Sequence, residues 1–103
     1  MRFIIEATVP VDTGNQVIID GSLMGKIQNY LNEIKPEAAY FTIKNGQRTM
    51  IVVVNMERED KMPALLEPLW LDLNVSVQMF PAMVAADLQN AGPDFEKVVS
   101  KRK

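Results

Sequence analysis

A chain of 103 residues, 48 % hydrophobic and 23 % charged, reads as a single domain over residues 1–103, and such a composition excludes disorder over most of its length. With no cysteine and no histidine, it cannot form disulfides, thiolate or imidazole metal sites, or a nucleophilic triad with a histidine base. A net charge of −2 supplies no positive face for duplex DNA, so no nucleic-acid partner is expected.

The one basic cluster, Lys97, Lys101, Arg102 and Lys103, reads as a solvated, frayed tail over about residues 97–103. Any metal would need carboxylate and carbonyl oxygens; no metal site and no cofactor are predicted. Glu6 interrupts the opening apolar run too early for a secretory signal. No stretch approaches the ~20 apolar residues of a membrane span. The expectation is a bacterial cytoplasmic protein with no membrane partner.

Residues 2–9 alternate as a strand. Phe3, Ile5, Ala7 and Val9 fall on one face, and Ile4, Glu6 and Thr8 on the other. Pro10 and Asp12-Thr13-Gly14 end it. From about Asn15 to Ile34, Leu23, Ile27, Tyr30, Leu31 and Ile34 recur at helical spacing. Gly21 and Gly25 lie inside this helix and read as a distorted turn or a close approach to the sheet; their spacing is not that of a phosphate loop. Lys35-Pro36 stops the helix.

Two strands follow, residues 37–44 and 47–56, joined by Asn45-Gly46, a dipeptide suited to a type I′ turn. A two-residue turn sets Lys44 opposite Gln47, Thr42 opposite Thr49 and Tyr40 opposite Ile51. Ala39, Phe41, Ile43, Met50, Val52 and Val54 then share the predicted core face, with Arg48 at its turn end. Tyr40, Thr42, Thr49, Ile51 and Val53 share the other.

A second helix is expected after Asp60, with Leu65, Leu66, Leu69 and Trp70 buried and a kink or early end at Pro68. Residues 73–80 alternate as the last strand, with Ser76, Gln78 and Phe80 on the face opposite Val75, Val77 and Met79. A weak helix over residues 82–91 and a restart at Gly92-Pro93 complete the chain.

The order β-α-β-β-α-β plus a C-terminal helix is the ferredoxin-like split βαβ pattern. It implies an α+β fold with a four-stranded antiparallel sheet, order 4-1-3-2, and two helices on one face. The opposite face collects Ile4, Glu6, Thr8, Tyr40, Thr42, Thr49, Ile51, Val53, Ser76, Gln78 and Phe80. So much contiguous apolar surface is unusual on a monomer, and pairing two such faces in a homodimer is the simplest way to cover it.

The chain resembles the dimeric α+β barrel superfamily, in which two ferredoxin-like protomers close their sheets into one barrel. Muconolactone isomerase, the antibiotic-biosynthesis monooxygenases and the chlorite-dismutase group belong to it. The residues that carry the likeness are Lys26-Ile27-Gln28, Leu31, the run from Ile34 to Thr42, and Met62-Pro63-Ala64-Leu65-Leu66-Glu67-Pro68-Leu69, and it extends over roughly residues 2–90. Nearest are small bacterial members with no assigned activity. The resemblance implies a sheet-paired homodimer and a pocket between sheet and helices, for which Tyr30, Phe41, Ile43, Arg48, Met50 and Trp70 are the groups able to line it. The haem-binding branch uses a histidine that this chain lacks.

Glu6 is the candidate catalytic residue. On a covered sheet face its carboxylate needs a partner, and burial would fit it for general-base work. The alternatives are an ion pair between Glu6 and an arginine or lysine across the dimer axis, or solvent access at the barrel end. The functional expectation is therefore a small-molecule-binding protein for an apolar or aromatic ligand, extending to cofactor-free isomerase or monooxygenase-like chemistry. The alternative is a structural protein that only self-associates. A cavity of ~300 Å³ or more with converging polar groups separates the two.

Overall fold

The computed structural model describes residues 1–103. Strands β1 (Arg2–Thr8), β2 (Ala38–Lys44), β3 (Gln47–Asn55) and β4 (Ser76–Pro81) form one antiparallel sheet in the order β2-β3-β1-β4, which is 4-1-3-2 read from the other edge. Helices α1 (Val11–Ile19) and α2 (Leu23–Ile34) lie between β1 and β2. A 3-10 turn (Glu59–Lys61) and α3 (Met62–Leu73) lie between β3 and β4, and α4 (Ala85–Asn90) and α5 (Gly92–Ser100) follow.

The hairpin has the expected register: Lys44 faces Gln47, Thr42 faces Thr49 and Tyr40 faces Ile51. Asn45 and Gly46 take φ of 53° and 73°, the left-handed pair that a type I′ turn needs. This turn sets β3 in phase. Met50, Val52 and Val54 point to the helices and are at most 5 % exposed. Ile5 and Ala7 of β1 join them, and Val17, Tyr30, Leu65, Leu66, Leu69 and Leu73 close the core from the helical side.

The predicted first helix is two helices. Asp20 accepts hydrogen bonds from the Ser22 backbone N–H (2.8 Å) and hydroxyl (2.6 Å), and these hold its carboxyl below the usual range. Gly21 turns through φ +79°, a conformation that glycine adopts without strain. The chain is redirected there, and α1 begins earlier than expected, straight after Pro10. Helix α3 does not stop at Pro68; it continues to Leu73 and ends at Asn74 in the left-handed region. Four buried leucines hold it to the sheet, which offsets the one backbone bond that proline removes. Leu73 therefore belongs to this helix, and the last strand starts only at Ser76.

Three side chains expected in the core are not in it. No β2 residue is buried, because the helices pack over β1 and β3. Phe41 and Ile43 are 57 % and 73 % exposed. Trp70, next to Leu69 but rotated about 100° around the helix, is 39 % exposed.

Beyond Pro81 the chain leaves the sheet. No residue of α4 or α5 is buried, and the two are separated only by Ala91, itself in the right-handed helical region. The basic end is exposed throughout and begins as helix: α5 runs to Ser100, and Arg102 donates to the Val98 carbonyl at 3.1 Å. Cations at a helix C-terminus are favourable. The molecule extends 61 × 28 × 20 Å with a radius of gyration of 17.4 Å, where a compact domain of this length would have about 13 Å.

Candidate functional site

The cleft between sheet and helices opens at the hairpin end. It encloses about 440 Å³. Ala7 and Met50 form its floor, Leu23, Met24 and Ile27 of α2 one wall, and Phe41 and Ile43 of β2 the rim. These walls follow from the fold: β2 reaches past the helices, so the space above Phe41 and Ile43 stays unfilled.

Arg48, the residue after the first of β3, is the only ionisable side chain lining this cleft. Its Nη2 donates to Asn15 Oδ1 at 3.1 Å, and its backbone carbonyl accepts from Val9 N–H at 2.9 Å. The guanidinium lies against α1 at Gly14. A β-carbon at Gly14 would overlap Nη1 and sit 3.2 Å from Cζ. Glycine at this helical position thus makes room for the arginine head. None of the molecule's salt bridges involves Arg48, so its charge has no carboxylate partner.

Of the side chains predicted to line a sheet–helix pocket, Phe41, Ile43, Arg48 and Met50 meet here. Tyr30 and Trp70 do not. Tyr30 is 4 % exposed and its hydroxyl donates to the Leu65 carbonyl at 2.7 Å; it ties α2 to α3, and burial pushes its phenol pKa up. Tyr30→Phe should lower folding stability by about 1 kcal/mol, measured by urea denaturation, with no effect on the cleft.

Glu6 lies on the opposite, open face of the sheet. It forms an ion pair with Lys44. The two belong to β1 and β2, so the pair spans β3, where Thr49 is 3 % exposed. The carboxylate is thus held by a lysine of its own chain, not by a cation across a dimer axis as weighed from the sequence, and it does not face the cleft. Around it the open face carries Ile4 between Val53 and Phe80, and Ile51 between Glu6 and Tyr40. Thr8, Thr42, Ser76 and Gln78 complete it. Tyr40 is 62 % and Phe80 39 % exposed; no helix covers this face.

A wider indentation of about 650 Å³ lies at the other end of the sheet. There Arg2 pairs with Glu37 at 2.9 Å and with Asp87 at 3.6 Å, which fastens the root of α4 to β1, and the Met1 ammonium donates to Asn55 Oδ1 and the Met56 carbonyl. Nowhere do three or more acidic side chains gather as a metal ion would require, and no helix is long and apolar enough to cross a membrane.

The sequence signals missed were Gly14, Asn15 and Met24. Gly14 looked like the end of a turn. Only the three-dimensional approach of Arg48 gives it a purpose. No family model matches the chain, and no curated protein is significantly similar to it.

Proposed function

We propose that this protein binds a small apolar or aromatic anion, such as a carboxylate, in the cleft between its sheet and helices. It does so as a ferredoxin-like homodimer paired through the open sheet face, in the manner of a dimeric α+β barrel. The observation that carries the ligand reading is Arg48, a cation without a carboxylate partner, clasped by Asn15 and Gly14 at the mouth of an apolar cleft. A guanidinium in a fixed fork suits a planar anion. The cleft's size falls within the range of small-molecule sites. No carboxylate lines the space, which favours binding over proton-transfer chemistry.

Support for the homodimer comes from area. The single chain exposes 7279 Å², where a compact monomer of its mass would expose about 5,800 Å². The excess of roughly 1,500 Å² is more than one partner contributes to a standard interface, about 800 Å².

The test uses 2-naphthoate and neutral naphthalene as probes, with affinity measured by calorimetry. The naphthoate is expected to bind the more tightly. Arg48→Gln should weaken its binding by roughly 10- to 100-fold, the worth of a charge-assisted hydrogen bond, and leave naphthalene unaffected. Gly14→Ala should also weaken naphthoate binding by displacing the guanidinium. It should not lower folding stability, since alanine is favoured over glycine inside a helix by up to about 1 kcal/mol. Equal naphthoate affinity in the unaltered and Arg48→Gln proteins would overturn the reading.

A further inference from the structure

The arm formed by α4 and α5 carries an apolar stripe that its own subunit does not cover. Leu88, Phe95, Val98 and Val99 follow one another at intervals of seven, three and one residues, which places them along one side of a helical rod. Each is about half exposed, from 49 % to 56 %. The polar side carries Asp94, Glu96, Lys97 and Lys101. An amphipathic rod of this kind is stable when its apolar side is packed. Only its root is held, by the Asp87–Arg2 pair and the Ala82 N–H to Arg2 carbonyl bond.

The body has a matching deficit. Phe41 and Ile43 stand uncovered at the rim of the cleft, on the helical side of edge strand β2. The arm leaves from the opposite end of the sheet, at Pro81 beside Phe3, and the molecule's 61 Å length shows it pointing away from the rim in its own subunit. The occupant with the right composition is therefore the arm of a second copy.

We infer that α4–α5 is an exchanged arm: Phe95, Val98 and Val99 of each subunit pack over Phe41 and Ile43 of its partner and roof the partner's cleft. The inference rests on the homodimer and the cleft ligand proposed above. It adds that each binding site is built from two chains. Exchange of this sort is reciprocal in a two-fold dimer, so two arms and two rims are covered together. The basic residues beyond Val99 are carried toward the cleft mouth beside Arg48, where they strengthen its preference for an anion.

Because the chain has no cysteine of its own, introduced cysteines report contacts without background. Full-length chains carrying Ile43→Cys and differently tagged full-length chains carrying Val98→Cys are mixed, unfolded and refolded together, and treated with a short bis-maleimide. A covalent dimer containing one chain of each kind is expected, with far less product from either chain alone. Phe95→Asp in both chains should abolish the product and weaken naphthoate binding several-fold. Failure to cross-link while the same chains sediment as dimers would overturn the exchanged arm and leave sheet pairing standing. Chains that sediment singly would overturn the homodimer itself. An intramolecular link in a chain bearing both Ile43→Cys and Val98→Cys, with no intermolecular product in the mixture, would also refute the exchange.

Discussion

Ile4→Glu is expected to turn the proposed homodimer into single, folded subunits. Ile4 sits on β1, the inner strand next to β4, with Val53 on one side and Phe80 on the other; these three are the apolar centre of the open sheet face. In the single subunit the position is only partly covered, so a glutamate there can reach water and the core behind it is untouched. Far-ultraviolet circular dichroism should be unchanged. In a face-to-face pair the same carboxylate is desolvated with no cation assigned to it, since Arg2, two residues away on the same face, is already engaged by Glu37 and Asp87. An uncompensated buried charge costs roughly 3–5 kcal/mol, and a two-fold dimer carries two. Dimerisation should weaken by at least about 100-fold, read by sedimentation velocity across a concentration series. Ile4→Val, which keeps the apolar character, should leave the dimer intact.

Leu69→Ala should produce the largest loss of folding stability of any single truncation in α3. Leu69 is 2 % exposed and lies in the cluster that includes Val52 and Val54. Removing its three outer carbons forfeits their transfer free energy and leaves a cavity, which together cost about 2–5 kcal/mol. Only 16 of 103 residues are buried in the single chain, so the core is small for its length and that loss is a large fraction of a typical domain's stability of roughly 5–15 kcal/mol. Urea unfolding should show a lower midpoint. Trp70→Ala, one residue along but 39 % exposed, should cost markedly less, which separates burial from position along the helix.

Where the fold rests on local chemistry, it was legible in the sequence. Asn45-Gly46 determines the hairpin, its register and hence which β3 side chains meet the helices. Alternation identifies the two faces of β1, and the order of elements yields an antiparallel four-stranded sheet. The split between α1 and α2 was harder to see, because the helical stripe from Leu23 onward masks the Asp20–Ser22 hydrogen bonds that redirect the chain. Phe41 and Ile43 were assigned to the core by parity, which distinguishes the faces of a sheet but cannot say how far a helix extends across one. Trp70 was misplaced for the related reason that apolar character does not resolve neighbouring positions on a short helix.

The site was legible only in part. Arg48 and Phe41 follow from hairpin register, but Asn15 and Gly14 reach Arg48 across 33 and 34 positions of sequence, a proximity that no local pattern encodes. Tyr30 illustrates the converse. Its aromatic ring suited a pocket, yet its hydroxyl has a backbone partner in α3 and serves the core. Glu6 looked anomalous on a sheet face until Lys44, at the far end of β2, supplied its counter-charge.

The central claim is that the apolar surface which this subunit leaves open, on its sheet and along its arm, is covered by another copy of itself. Sedimentation equilibrium of the unaltered chain at micromolar concentration tests it most directly. A species of twice the 11.6 kDa chain mass is expected. A single species of 11.6 kDa, unchanged as the concentration is raised, would contradict it.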